Sequence, residues 1–97
     1  MLNQVILVGT IKQLPVINRD DSLHYADMKV EVPRLARNSE GEYPVDVFNV
    51  TLWRGVADMT LGQYSVGNIV GIKGRLEIDE DTKKARIMAE RVSFIQK

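Results

Sequence analysis

Five stretches of this chain carry apolar residues in the pattern of β-strands. Tyr25 to Val32 is the cleanest: Ala26, Met28, Val30 and Val32 fall on one face, Tyr25, Asp27, Lys29 and Glu31 on the other. Val5 to Ile11 is rich in β-branched residues and apolar on both faces, and Gly9 within it marks a bulge or a close approach of another backbone. Val45 to Arg54 puts Phe48, Val50 and Leu52 on a core face, and Val47, Asn49, Thr51 and Trp53 on the opposite one. Ile69 to Leu76 groups Val70, Ile72 and Leu76 against Ile69, Lys73 and Arg75. In Ala85 to Ile95 the alternation slips near Glu90, which predicts a bulge.

The connections are read from turn chemistry. Gln13 to His24 contains Pro15 and a polar Asn-Arg-Asp-Asp-Ser run and is predicted as a loop. Arg34 to Pro44 reads as a long hairpin connection, and Gly67-Asn68 and Asp79 to Lys84 as turns. Gly55 to Ser65 carries Ala57, Leu61 and Tyr64 at helical spacing and is the one expected helix. Three strands, a helix and two further strands are the order of an all-β, five-stranded Greek-key OB-fold barrel with one short helix between strands three and four. At 97 residues, with no internal repeat, the chain is expected to form a single domain over residues 1–97.

Composition narrows the chemistry. Thirteen basic and thirteen acidic residues cancel, so any case for a polyanionic partner rests on where charges sit. No Cys is present, which excludes disulfides and thiolate metal sites. His24 has no Cys or His at ligand spacing, no nucleophile–base set stands out, and no Gly-rich phosphate loop is present. The expectation is a non-enzyme without cofactor or metal. The first residues lack a signal peptide, and no apolar run nears the roughly 18 residues of a membrane span. A cytoplasmic protein, associated with the nucleoid, is expected.

Specific residues add a family resemblance. Asn3, Val5, Leu7, Val8, Gly9 and Ile11 resemble the first strand of bacterial single-stranded DNA-binding proteins. Phe48 to Arg54 with Ala57-Asp58 resembles their third strand and helix entry, Val70 to Leu76 their fourth strand, and Ala89 to Ile95 their closing strand. The resemblance implies an OB-fold that binds single-stranded DNA without strong sequence preference, usually as a tetramer or dimer, in replication, recombination or repair. The chain stops at Gln96-Lys97, where full-length members usually continue into a flexible linker and acidic tip. Either the sequence is a piece of a longer chain, or the protein resembles the short, tail-less primosomal OB-fold relatives.

Trp53 matches a position where the family carries a base-stacking aromatic, and strand parity already turns it away from the core. An oligomer interface is the competing use of the same side chain. Tyr25, Thr51 and Asn49 share outward faces with the remaining candidates. Arg54, Lys73 and Arg75 lie at or near the outward side of the central strands, Lys29 on the second strand, and Arg34 and Arg37 at the start of the long hairpin. Asp27, Glu31, Asp46 and Glu77 lie among them, so the expected groove is only moderately positive, and Glu77 to Asp81 should repel phosphate. The family's further Trp at the end of strand two is replaced here by Pro33-Arg34-Leu35-Ala36. The first strand, apolar on both faces, is expected to sit near the two-fold axis of a homodimer, or within a tetramer. The alternative is a protein-interaction module that docks on replication proteins through Trp53, with weak or no DNA binding.

Overall fold

The computed structural model describes residues 1–17 and 25–96. It contains β1 (Val5–Ile17), β2 (Tyr25–Pro33), β3 (Val45–Trp53), α1 (Arg54–Gln63), β4 (Ile69–Ile78) and β5 (Ala85–Gln96). The strands close a barrel in the order β1-β2-β3-β5-β4, with β3 and β5 parallel and the remaining pairs antiparallel. This is the expected OB-fold. No helix among the described residues is long and apolar enough to cross a membrane.

The core follows the alternation. Ala26, Met28 and Val30 of β2 meet Val50 and Leu52 of β3, Val70 and Ile72 of β4, and Val92 of β5, all buried. Phe48 packs against this cluster from its edge. α1 seals against it through Ala57, with Val56 and Tyr64 alongside. Thr60 is buried on the same side, its hydroxyl donating to the Val56 carbonyl at 2.8 Å.

Two glycines permit close crossings. A Cβ on Gly9 would stand 2.5 Å from the Glu31 carbonyl oxygen, where β1 passes tightly over β2. One on Gly74 would overlap the Met88 carbonyl oxygen. Gly74 faces the bulge expected in the last strand: the register steps from Lys73↔Arg91 to Gly74↔Ala89, leaving Glu90 as the extra residue.

Three expectations are corrected. The loop foreseen from Gln13 begins later, because β1 runs on to Ile17 with register shifts between Ile11 and Gln13 and between Gln13 and Val16. Pro15 lies in the second shift, a place where a residue without an N–H is tolerated. His24 and the rest of 18–24 lie outside the described residues. Leu76 is 47% exposed although its parity is that of the core, because the β4–β5 hairpin projects past the barrel that would cover it. On α1, Leu61 is exposed and the buried position expected of it is taken by Thr60, which lies three residues after Ala57 and so shares its face.

Candidate nucleic-acid interface

The outward face of the β2–β3 ladder is built from directly opposed pairs: Tyr25 with Trp53, Asp27 with Thr51, and Lys29 with Asn49. Opposed residues on one face lie close enough to touch. The Tyr25 and Trp53 rings do so, with centroids 4.6 Å apart and planes inclined at 53°. Trp53 is 45% exposed, so the parity that turned it from the core holds. It occupies the last position of β3 and caps the start of α1, which fixes its backbone in an extended conformation. The next pair is tied by the Thr51 hydroxyl, which donates to Asp27 Oδ1 at 2.9 Å and is 8% exposed.

A residue absent from the expected set completes the aromatic cluster. Arg86 on β5 lies with its guanidinium 5.2 Å from the Tyr25 ring centroid. The signal for it lay in the topology: β5 runs beside β3, Met88 opposes Thr51, and Arg86 is two residues from Met88 on the same face. The turn end of the β4–β5 hairpin then closes one side. Asp79, Ala85 and Arg86 face Tyr25, Asp27, Asn49 and Thr51 across an open groove of about 350 Å³. Asp79 Oδ1 accepts the Asp81 and Thr82 backbone N–H groups at 2.9 and 3.2 Å. Those bonds hold its carboxyl below the usual carboxylate range.

The expected cations fall into different surroundings. Lys29 stands exposed on the β2–β3 face, beside Asn49. Arg34 binds Asp46 through Nε and Nη2, both at 3.0 Å, at the root of the long hairpin. That two-pronged bond raises the Arg34 pKa and lowers that of Asp46. Arg37 lies 5.1 Å from the centroid of the Tyr43 ring. Arg54 pairs with Asp58 one helical turn on, at 3.3 Å. Arg75 reaches Glu77 and Glu90, each at 3.4 Å. It continues the row Asp27, Thr51, Met88, Arg75 across three ladders. Lys73 is opposed to Ile6 on β1 and Arg91 on β5, around the barrel from the aromatic pair. The structure therefore gathers Tyr25, Lys29, Asn49, Thr51 and Trp53 on one face and sets Lys73 apart from them.

This face offers two half-exposed rings for stacking, a guanidinium beside them, and few uncompensated cations. Among the described residues, no group of three or more His, Asp or Glu side chains is placed to hold a metal.

Comparison with known proteins agrees with the architecture. The Single-strand binding protein family model matches residues 2–95. Single-stranded DNA-binding protein B of Bacillus subtilis is 35% identical over 78 residues, covering 79% of this chain and 69% of that protein. Among solved structures, the small single-stranded DNA-binding protein from Streptomyces coelicolor superimposes with a TM-score of 0.72 at 24% identity, over 98% of this chain and 95% of that one. The Plasmodium falciparum SSB in its complex with ssDNA gives 0.72 at 15% identity, over 99% and 97%. At those identities the structural likeness speaks for the fold, while the family model and the Bacillus relative speak for ancestry: this chain belongs to the single-strand binding protein family.

Proposed function

We propose that the protein binds single-stranded DNA without strong sequence preference across the β2–β3 face, with bases stacked on Trp53 and Tyr25. The observation that carries this reading is the half-exposed Tyr25–Trp53 pair with Arg86 alongside, on the face by which OB-folds take oligonucleotides. Every base has a π-face, so such a platform is tolerant of sequence, and each stacked base contributes about 1–3 kcal/mol. The relatives' names, single-stranded DNA-binding protein, point the same way.

Lys29 is the phosphate contact nearest the rings, with Asn49 and Thr51 beside it, while Arg86, 3.8 Å from Glu77, backs the Tyr25 ring. Arg34, Arg54, Arg75 and Arg37 follow at greater distance. Three of these four are already engaged with carboxylates, but such exposed pairs are worth little and can be exchanged for phosphate. Replication, recombination and repair are the processes such binding serves.

A homodimer through β1 belongs to this reading. From Val5 to Gly9, β1 forms a ladder with β4 alone, and pairing with β2 begins at Thr10. Ile6 and Val8 on its outward side are 67% and 52% exposed. A second copy would cover both the open backbone and these side chains.

The second reading, a module that docks on replication proteins, is favoured by one observation: Tyr43, Val45 and Val47 are exposed beside the long hairpin. Salt separates the two. Anisotropy of a labelled oligothymidine should show saturable binding that weakens steeply between low and moderate salt, through counterion release. No saturable binding at low salt leaves the docking module as the better account.

A further inference from the structure

The groove beside the aromatic pair carries carboxylates on two of its walls, where a channel that only tracks phosphates would carry cations. Asp27 comes from β2 and Asp79 from the start of the β4–β5 turn. In each, Oδ1 is committed: to the Thr51 hydroxyl in Asp27, and to the Asp81 and Thr82 backbone N–H groups in Asp79. In each, Oδ2 has no protein donor among the described residues. Tyr25, with Arg86 against its ring, supplies an aromatic wall. At about 350 Å³ the space has room for one base and its sugar.

Two carboxylates stand against the single guanidinium of Arg86, which is itself drawn towards Glu77 at 3.8 Å, so the lining is net acidic and accepts hydrogen bonds at Asp27 and Asp79. A base entering beside Tyr25 therefore presents its edge to two acceptors. Cytosine carries an amine at position 4, a donor that Asp and Glu side chains accept. Uracil and thymine carry a carbonyl oxygen at the same position and one ring N–H beside it, so they can donate to only one of the two acceptors, where the amine of cytosine has two N–H groups to give.

We propose that Asp27 and Asp79 make this groove a base-selective subsite, favouring bases with an exocyclic amine and taking cytosine in preference to uracil or thymine. The inference rests on the single-stranded DNA reading above and adds a selectivity that stacking on Trp53 does not supply. Binding remains tolerant of sequence, since one subsite discriminates while the stacking platform does not.

The test compares oligodeoxycytidine with oligodeoxyuridine of equal length. The two pyrimidines share shape and differ at position 4 and at the neighbouring ring nitrogen. Competition anisotropy at about pH 8 keeps cytosine unprotonated. The wild type should bind oligodeoxycytidine about five- to tenfold more tightly, the size of one charge-assisted hydrogen bond at a half-open site. Asp27→Asn and Asp79→Asn should each bring that ratio towards one while leaving oligodeoxyuridine binding equal or stronger. The amide oxygen of Asn can still accept the N–H groups that Asp79 now holds, and a thermal melt checks that each variant folds. Equal affinity for the two oligonucleotides, tighter binding of oligodeoxyuridine, or a preference that survives in both variants would overturn the selectivity and leave DNA binding standing. Failure of both oligonucleotides to bind the wild type would instead remove the DNA reading, and this inference with it.

Discussion

Replacing Trp53 by Ala separates stacking from packing, because the two uses of the indole have different sizes. A buried aromatic side chain covers about 150–250 Å². With the ring 45% exposed, folding hides roughly half of that. At about 25 cal/mol per Å² the hidden half contributes about 2–3 kcal/mol, an upper estimate because unfolded chains already bury some surface. The tilted contact with Tyr25 adds on the order of 1 kcal/mol. A domain of this size has about 5–15 kcal/mol of stability, so Trp53→Ala should melt earlier and still fold. Binding has more to lose in proportion. One stacked base is worth about 1–3 kcal/mol, which raises Kd by about five- to 150-fold. Circular dichroism melting and oligothymidine anisotropy read the two effects separately, and Trp53→Phe, which keeps a ring face, should recover most of the affinity. A folded Trp53→Ala protein with unchanged Kd would refute stacking, and one that cannot fold would refute the parity argument that placed Trp53 outside the core.

Other substitutions probe the rest of the account. Lys29→Ala should reduce the salt slope of binding by about one phosphate, while Arg75→Ala, farther from the rings and able to reach a phosphate only by leaving Glu77 and Glu90, should reduce it by less; equal slopes for both would misplace the phosphate path. Gly74→Ala forces a Cβ into the Met88 carbonyl and should cost about 1–3 kcal/mol in denaturant unfolding, and an unaltered midpoint would mean the bulge yields freely. Ile6→Asp should shift the protein to the monomer in sedimentation at micromolar concentration, with DNA binding per chain retained, and an unchanged mass would exclude β1 as the interface. The backbone N–H groups that lower the Asp79 pKa give a pH signature. Its folded-state pKa lies below the unfolded one of about 3.9, so its stabilisation is complete above that value and is lost as pH falls through the folded pKa. Asp79→Ala should therefore destabilise at neutral pH and converge with the wild type in acid; a constant difference across that range would argue against the turn bonds.

Much of the barrel was legible because a half-buried strand writes its period into the chain. The alternation in Tyr25 to Val32 gave the core face of β2 directly, and the slip at Glu90 gave the bulge in β5. The residues that misled lie where local pattern and tertiary setting part. Pro15 reads as a loop residue, yet the register shifts of β1 accommodate it in a strand. Leu76 has core parity, but only a barrel wall beyond it could have buried it, and none is present among the described residues.

The site divided in the same way. The outward placement of Trp53, Tyr25 and Lys29 followed from strand parity, since outward direction is a local property. Arg86 was not, because its place beside Tyr25 depends on β5 running parallel to β3, a contact between segments more than thirty residues apart in the chain. The charge pairing of Arg34 and Arg75 was equally hidden. Their partners were visible as nearby acids, but which cation each acid would neutralise depends on register and side-chain geometry.

The central claim is that a base lies against Trp53, and the chain holds a single Trp to report on it. Intrinsic fluorescence during titration with oligothymidine, at low and at moderate salt, reads that contact directly. Saturable quenching that weakens as salt rises is the expected result. An emission that does not change through a titration in which anisotropy shows the oligonucleotide binding would contradict it, and would place the DNA elsewhere on the barrel.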